Sequence, residues 1–361
     1  MNAYTLMMAL VLYLAILMRG NIQGNKKYIW LSCFFMFALC AFRDVYEIGI
    51  DSASSYIRIF REHGAMSWED MPSVLAGDHN VGFSFFLKWI YELTGGNYQA
   101  FIVIYSVIVF VVFARFIEKY SCCPVQSFAY YWGLIIYIMF FDILKQGFAM
   151  TFVLLAFDSI MERKPLRFIL LVLTASLFHV PALVFLPAYW IAKMKVGKGY
   201  VFVLIGMFAA TYLLREQILE LMTDIYETTI YETNMRFFAN KVLIMLVIIV
   251  AALILRPPSE EDRMYNILLQ FMGIAAVIQT FAGYNNTFER LANYYFQFSV
   301  IFIPLVFQRG KIQSLFLNSR TAESVKYIAP YLFGGFGVWR FANYIQNNDW
   351  LWLPFRFFFQ R

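Results

Sequence analysis

A short stretch of alternating basic and acidic residues interrupts an otherwise apolar part of the chain. It contains Arg43, Asp44, Glu47 and Asp51, begins where an apolar run ends, and closes at Tyr56. Charged side chains at the edge of a membrane segment are costly, and they are generally kept for a ligand or for one another. The stretch therefore predicts a site at a membrane surface. Arg43 is a candidate phosphate ligand there, and Asp51 or Asp44 is a candidate acid or base.

Further polar residues recur at the ends of later apolar runs: Lys145-Gln146, His179 and Glu289-Arg290. Arginine presents a planar set of donors that matches two phosphate oxygens, whereas lysine binds phosphate as a point charge. Two or three such cations would suit a diphosphate headgroup, and a neighbouring carboxylate could accept a proton from a sugar hydroxyl. These residues can form one site only if the helices that carry them are neighbours.

Each of these residues also has a structural interpretation, which the sequence leaves open. Arg43 and Asp44 could form an ion pair that caps a span, and Lys145 could extend towards lipid headgroups. Glu289-Arg290 could be a local pair at a helix start. His179 could be a hydrogen-bonded residue within an apolar run.

The composition indicates the elements that must position these residues. The chain has 361 residues, of which 61% are hydrophobic and 14% are charged, a balance outside the range of soluble domains. The apolar runs are close to the roughly 20 residues that a helix needs to cross a bilayer, and backbone groups in lipid must be satisfied internally. The predicted fold class is all-α: a polytopic integral membrane protein with a single transmembrane domain over residues 1–361.

The pattern predicts about ten spans plus a broken helical hairpin. The predicted spans are 4–18, 28–42, 98–117, 125–141, 148–161, 200–214, 241–255, 264–282, 291–307 and 325–344. Because lysine and arginine favour cytoplasmic loops, we expect both termini outside, and residues 43–97 and 215–238 as extracytoplasmic loops with interfacial helices. The net charge of +6 then reflects loop asymmetry, so we expect no nucleic-acid partner. The sequence shows no phosphate-binding glycine loop and no metal-ligand spacing, so we expect no cofactor and no metal.

Residues 168–192 form an apolar run with basic residues on both sides. Two half-helices that meet at His179-Val180-Pro181 would return the chain to the cytoplasm, and a proline disfavours helix at the residue before it. A single proline-kinked helix is the alternative. The sequence favours the broken hairpin.

Four motifs along the chain resemble, in order, those of the EpsG family of bacterial polysaccharide polymerases, relatives of Wzy-type O-antigen polymerases. Arg43, Gly49, Asp51 and Tyr56 match its R-x(5)-G-x-D-x(4)-Y signature. The other three motifs are Lys145-Gln146-Gly147-Phe148-Ala149, the segment Ala175-Ser176-Leu177-Phe178-His179-Val180-Pro181-Ala182-Leu183, and Arg290-x-x-x-Tyr294 before a late span. Position 145 departs from the family, since lysine stands where the family usually carries arginine.

The resemblance implies a multi-pass protein of the bacterial inner membrane that polymerises undecaprenyl-diphosphate-linked oligosaccharide units on the outer face. In the mechanism that we hypothesise from it, Arg43, Lys145 and Arg290 bind the departing diphosphate. Asp51, or else Asp44 or His179, takes the acceptor proton. Tyr56 stacks on sugar rings, and Gln146, Glu289 and Tyr294 are further candidate substrate-binding residues.

Besides the lipid-linked oligosaccharide and membrane lipid, a chain-length regulator and a flippase are candidate partners. The alternative functions are a lipid-linked oligosaccharide flippase, an O-antigen ligase and, with thinner support from His179, a membrane acyltransferase.

Overall fold

The computed structural model describes residues 3–18, 26–49, 51–77, 79–197, 199–226, 240–257, 262–310, 319–348 and 353–360. In these ranges every regular element is helical, apart from an isolated antiparallel bridge between Arg43 and Phe357. The predicted all-helical class is therefore confirmed. The chain divides into two compact units, one formed by Met1–Leu183 with Tyr327–Arg361 and the other by Val184–Lys326. The prediction of a single transmembrane domain stays a prediction.

The first unit contains the first ten α-helices and most of the last. They are α1 (Ala3–Leu17), α2 (Lys26–Phe42), α3 (Ile57–Ala65), α4 (Met71–Gly77), α5 (Val81–Thr94), α6 (Tyr98–Tyr120), α7 (Pro124–Gly133), α8 (Ile136–Asp142), α9 (Leu144–Met161) and α10 (Pro165–Phe178), with a π-helix at Ser52–Tyr56 before α3. Of these helices, α6 begins at an Asn97 cap whose side chain accepts the Ala100 N–H, and α7 and α10 each begin with a proline, which suits a first helical position.

The second unit contains the remaining α-helices. They are α11 (Ala188–Ile191), α12 (Tyr200–Leu213), α13 (Arg215–Tyr226), α14 (Asn240–Ile254), α15 (Arg263–Gln279), α16 (Asn286–Phe296) and α17 (Ser299–Arg309), and α18 (Ser319–Asn347) starts here and continues into the first unit. The aromatic rings of Phe185, Phe271, Tyr295 and Phe298 pack at centroid distances of 5.0–5.7 Å. They join α15 to the bend between α16 and α17.

Three described helices are long and apolar enough to cross a membrane: Tyr98–Tyr120, Leu144–Met161 and Arg263–Gly283. Two bent pairs, α7 with α8 and α16 with α17, raise the number to five if each pair is one span. This length and composition are those of an integral membrane protein. The ten predicted spans and their orientation stay predictions.

The predicted span 125–141 is broken in the structure. Its two halves, α7 and α8, meet at an angle of 59°, and between them Ile135 has a φ of +65°, which is rare for a β-branched residue. The carbonyl group of Gly133, freed by the break, accepts a hydrogen bond from Arg340 at 2.8 Å. The break thus has a partner in α18.

The segment 168–192 is also not one continuous helix. Helix α10 ends at Phe178, His179 has an extended backbone, and a 3-10 turn follows at Val180–Phe185. The predicted break at His179-Val180-Pro181 is therefore present. The hairpin stays a prediction.

Both segments expected to hold interfacial helices contain helices. Helices α3, α4 and α5 lie within 43–97, and α13 lies at the start of 215–238. Residues 227–238 lie outside the described residues. The membrane location of these segments stays a prediction.

Candidate functional site

Arg43 is fully buried at the end of α2. One guanidinium nitrogen donates to the Cys40 carbonyl oxygen at 2.7 Å and to the Cys40 sulfur at 3.1 Å. The other donates to the Phe141 carbonyl oxygen at 2.6 Å and to the Ser52 hydroxyl at 3.1 Å. Both carbonyls lie in the last turn of a helix, where a positive charge is favourable. Arg43 therefore joins the ends of α2 and α8 to the π-helix.

Asp44 is also buried and begins a tight loop, which we call the 43–49 loop. Its backbone N–H donates to the Arg356 carbonyl oxygen at 2.8 Å, and its carboxylate accepts the Tyr46 N–H at 3.0 Å. Its carbonyl oxygen accepts the Ile48 N–H at 3.0 Å. These contacts give Asp44 the part of a residue that shapes the loop.

Asp51 precedes the π-helix and is partly exposed. Its backbone N–H donates to the Asp142 carboxylate at 2.8 Å, and the Ser52 N–H bonds to the same carboxylate. Gly49 has a φ of +87°, and a Cβ atom there would lie 3.2 Å from that carboxylate. The glycine of the motif thus lets the loop turn tightly against Asp142, which fixes the backbone beside Asp51.

Tyr56 and Lys145 are in contact. Tyr56 is buried and its hydroxyl accepts the backbone N–H of Lys145 at 3.4 Å. The Lys145 ammonium group lies 5.4 Å from the centre of the Phe83 ring, and the side chain is partly exposed. A partly desolvated ammonium group in this position can bind an anion as a point charge.

The residues after Lys145 pack inward. Gln146 is fully buried. A Cβ atom on Gly147 would lie 2.2 Å from the Tyr105 hydroxyl oxygen, so only glycine permits this approach of α9 to α6. The Lys-Gln-Gly motif therefore combines one accessible cation with close helix packing.

His179 lies at the same end of the first unit as Lys145. Its neighbour Phe178 stacks on Phe148 of α9 at 4.7 Å, and the Val180 N–H donates to Asn80, just before α5, at 3.4 Å. The side chain of His179 is partly exposed. The backbone N–H of His179 donates to the Ala175 carbonyl oxygen and closes the last turn of α10. A chemical role for the imidazole stays a prediction.

Glu289, Arg290 and Tyr294 belong to α16 of the second unit. Glu289 pairs with the Lys241 ammonium group at 2.9 Å, and the same group donates to Asn293 at 2.6 Å. Arg290 is exposed and Tyr294 is fully buried. Their participation in one site with the residues of the first unit stays a prediction.

The structure thus brings Lys145, at the start of α9, to the ends of α2 and α8 beside Arg43, Asp51 and Tyr56, although 89 positions separate it from Tyr56. It adds Asp142, which the sequence analysis did not select. The available signal was an acidic residue at the end of an apolar run, three positions before Lys145. Among the described residues, no three His, Cys, Asp or Glu side chains are close enough to hold a metal ion.

No curated protein and no solved structure matches the chain. A family model, described as the EpsG family, matches residues 26–348. All four motifs lie within this range. Because the match covers most of the 361 residues, the chain belongs to the EpsG family.

Proposed function

We propose that this protein joins undecaprenyl-diphosphate-linked oligosaccharide units into a surface polysaccharide on the outer face of the bacterial inner membrane. The observation that carries the proposal is the meeting of two family motifs: the Arg43 to Tyr56 motif contacts the Lys145 motif through Tyr56. That contact places the motif that contains the Asp51 carboxylate beside the motif that contains the Lys145 ammonium group, and both side chains are partly exposed. Such a pair fits a reaction that moves a proton and releases a phosphate.

In the proposed reaction, a hydroxyl oxygen of the acceptor sugar bonds to the anomeric carbon of the donor glycan. The bond from that carbon to the lipid diphosphate breaks, and its electron pair leaves with the diphosphate. The hydroxyl proton passes to Asp51, whose carboxylate is partly exposed. Lys145 offsets the charge that develops on the diphosphate.

Arg43 takes a different role in this proposal from the one that the sequence suggested. Its guanidinium donates to two backbone carbonyl oxygens and a hydroxyl, so we propose that it positions the 43–49 loop, which leads to Asp51. Asp142 is a second positioning residue because it accepts the backbone N–H groups beside Asp51.

The experiment is an exchange of the chromosomal gene for an Asp51→Asn variant, followed by gel analysis of surface polysaccharide and an immunoblot of the membrane fraction. Loss of a general base commonly lowers a rate by about 100-fold or more, so we expect single repeat units in place of long chains. Glu62→Gln is the matched control, because Glu62 is an exposed acid on α3. Long chains at a normal protein level from Asp51→Asn would remove Asp51 from the mechanism.

Deletion of the whole gene separates the reaction classes. Single repeat units on the outer surface support a polymerase. Absence of repeat units from the surface would indicate a flippase, and polymer that stays on its carrier lipid would indicate a ligase.

A further inference from the structure

Helices α2 and α6 run antiparallel, and their far end lies away from Arg43. At the near end, the Gln99 side chain of α6 donates to the Ala41 carbonyl oxygen of α2 at 2.6 Å. At the far end, Lys26 of α2 pairs with Glu118 of α6 at 3.1 Å. The length of both helices therefore separates the far end from the candidate site.

A polar surface pocket of about 490 Å³, open to its surroundings, lies at this far end. Its lining residues are Lys26, Trp30, Arg115, Glu118 and Lys119, which are three cations, one carboxylate and one indole. The carboxylate is already bound, since Glu118 accepts the Trp30 N–H at 2.9 Å and pairs with Lys26. Lys119 is bound to Asp158 at 3.0 Å.

Arg115 and Lys26 retain accessible positive charge in this pocket. Arg115 is exposed, and the Lys26 side chain is 71% exposed despite its ion pair. An arginine beside a lysine at a membrane boundary attracts anionic headgroups by about 1 kcal/mol for each charge. The pocket is therefore complementary to a phosphate group.

An apolar groove continues from the pocket between the same two helices. It has a volume of about 160 Å³ and is lined by Trp30, Cys33, Phe34, Phe37, Val107, Phe110 and Val111. Trp30 lines both spaces, so its indole stands where the polar pocket meets the groove. From Trp30 to Phe37 the helix rises about 10 Å, which is the length of several methylene groups.

We propose that this pocket and groove bind an anionic phospholipid. Its phosphate lies between Arg115 and Lys26, and one acyl chain follows the groove past Phe34 and Val107. The indole of Trp30 lies at the polar-apolar boundary, where tryptophan is favoured in membranes. A free phosphate would use the pocket alone, and the apolar lining that begins at Trp30 favours a lipid. The site is independent of the proposed polymerase reaction.

The test uses the full-length protein in nanodiscs that contain equal amounts of phosphatidylglycerol and phosphatidylcholine, with native mass spectrometry of the lipids that stay bound. We expect the wild type to retain phosphatidylglycerol preferentially. The Lys26→Gln/Arg115→Gln variant should lose that preference, by roughly fivefold for each removed charge. The matched control is Arg58→Gln/Arg61→Gln, which removes two exposed charges from α3 and should leave the preference unchanged.

A second variant tests the groove. Val107→Trp fills it, because Val107 lines the groove and is exposed, and should lower the amount of bound phosphatidylglycerol. Val247→Trp, at an exposed valine of α14, is its control. Thermal unfolding identifies variants that fail to fold. Arg115→Lys, in a chain that keeps Lys26, should bind phosphatidylglycerol like the wild type because it keeps the charge.

Three outcomes would overturn the proposal. The first is equal retention of the two lipids by the wild type, and the second is an unchanged preference in the double variant. The third is displacement of the lipid by inorganic phosphate together with wild-type binding by Val107→Trp, which would assign the pocket to phosphate alone.

Discussion

The resemblance to the EpsG family leads us to expect arginine at position 145, where this chain has lysine, and the contacts of Lys145 predict what each substitution does. The ammonium group faces the Phe83 ring, and the backbone N–H is bound by Tyr56. Lys145→Met keeps a chain of similar length and removes the charge, so we expect polymer length on gels to fall sharply. Lys145→Arg keeps the charge and supplies two donors for phosphate, so we expect wild-type or longer chains. Long chains from Lys145→Met at a normal membrane level would contradict a role for Lys145 in diphosphate binding.

We expect substitution of Arg43 to lower the stability of the fold, and to affect the reaction only through that loss. Arg43→Met leaves the Cys40 and Phe141 carbonyl oxygens without their charged donor. Each unsatisfied buried group costs about 1–3 kcal/mol, so the loss at the two carbonyl groups should lower the free energy of unfolding by about 2–6 kcal/mol. Arg43→Lys should not restore it, because one ammonium group cannot reproduce the planar fork of donors.

Thermal unfolding of the purified variants in detergent measures this effect. Arg58→Met, at an exposed arginine of α3, is the control and should melt close to the wild type. Wild-type melting of Arg43→Met with loss of polymer would instead assign Arg43 to substrate binding.

At this scale the sequence indicated which residues carry the site, and it missed how they are held. Arg43, Asp51 and Lys145 stand out as charges at the ends of apolar runs. Asp142 also follows an apolar run, but its role was not predicted, because it acts on backbone N–H groups 91 positions away. Backbone donors and acceptors are the same for every residue type, so a sequence pattern does not reveal which of them will be paired.

The C-terminal segment acts as an element that holds the 43–49 loop. Its Phe357 forms a bridge with Arg43, its Arg356 carbonyl oxygen accepts the Asp44 N–H, and its Phe355 ring packs on Tyr4 at 5.2 Å. Deletion of residues 354–361 should therefore lower the free energy of unfolding by about 1–3 kcal/mol and shorten the polymer, since the loop leads to Asp51. Melting temperature and gel analysis measure the two effects.

Arg356→Gln is the matched control for the deletion. It keeps the backbone contact and removes only the ion pair with Glu47. In that pair the Arg356 side chain is 55% exposed and the Glu47 side chain 46% exposed. Exposed pairs contribute about 0–1 kcal/mol, so this variant should behave nearly as the wild type. Equal losses of stability from the deletion and from Arg356→Gln would show that the Arg356 side chain, and not the backbone contact of the C-terminal segment, holds the loop.

Helices α7 and α18 approach each other through glycine. A Cβ atom on Gly133 would lie 2.4 Å from the Gly337 Cα atom, whereas one on Gly335 would meet no atom within 4 Å. Gly133→Ala should therefore lower the free energy of unfolding by about 1–3 kcal/mol through overpacking, and with it the melting temperature. Gly335→Ala should be neutral or stabilising, since alanine is the better helix former. Equal melting temperatures for the two variants would contradict this packing.

The sequence predicted most helices but not the bends within them. Residues 125–141 are mostly apolar, and Gly133 alone does not indicate a break, because glycine is frequent in transmembrane helices. The left-handed Ile135 is accommodated because Arg340, more than 200 positions later, binds the freed Gly133 carbonyl. The break at His179 was predictable because proline acts on its own neighbour.

At the scale of the whole molecule, apolar run length fixes the class of protein while leaving the number of crossings open. Several predicted spans are helices of 10–17 residues in the structure, shorter than the roughly 20 residues of a full crossing. Composition identifies a segment as apolar. Its tilt, and whether two short helices share one crossing, depend on packing against neighbouring helices.

The orientation of the first unit in the membrane is the last prediction, and α6 offers a test of it. This helix has 23 residues and is about 34 Å long, enough to cross a hydrocarbon core of about 30 Å. Glu62 lies before it and Arg115 near its end, and both are exposed. Because basic residues favour the cytoplasmic side, Glu62→Cys should react with an impermeant maleimide on intact spheroplasts. Arg115→Cys should react only after permeabilisation.

These variants need a background without Cys122, since Cys122 is partly exposed whereas Cys33, Cys40 and Cys123 are buried. Labelling of both positions from one side would mean that α6 does not cross. Labelling of Arg115→Cys on intact spheroplasts, with Glu62→Cys labelled only after permeabilisation, would show that the Arg43 end faces the cytosol. The lipid-linked units would then have to be joined before export, and the Arg115 pocket would face the outer leaflet, so this one measurement sets the direction of both proposed sites.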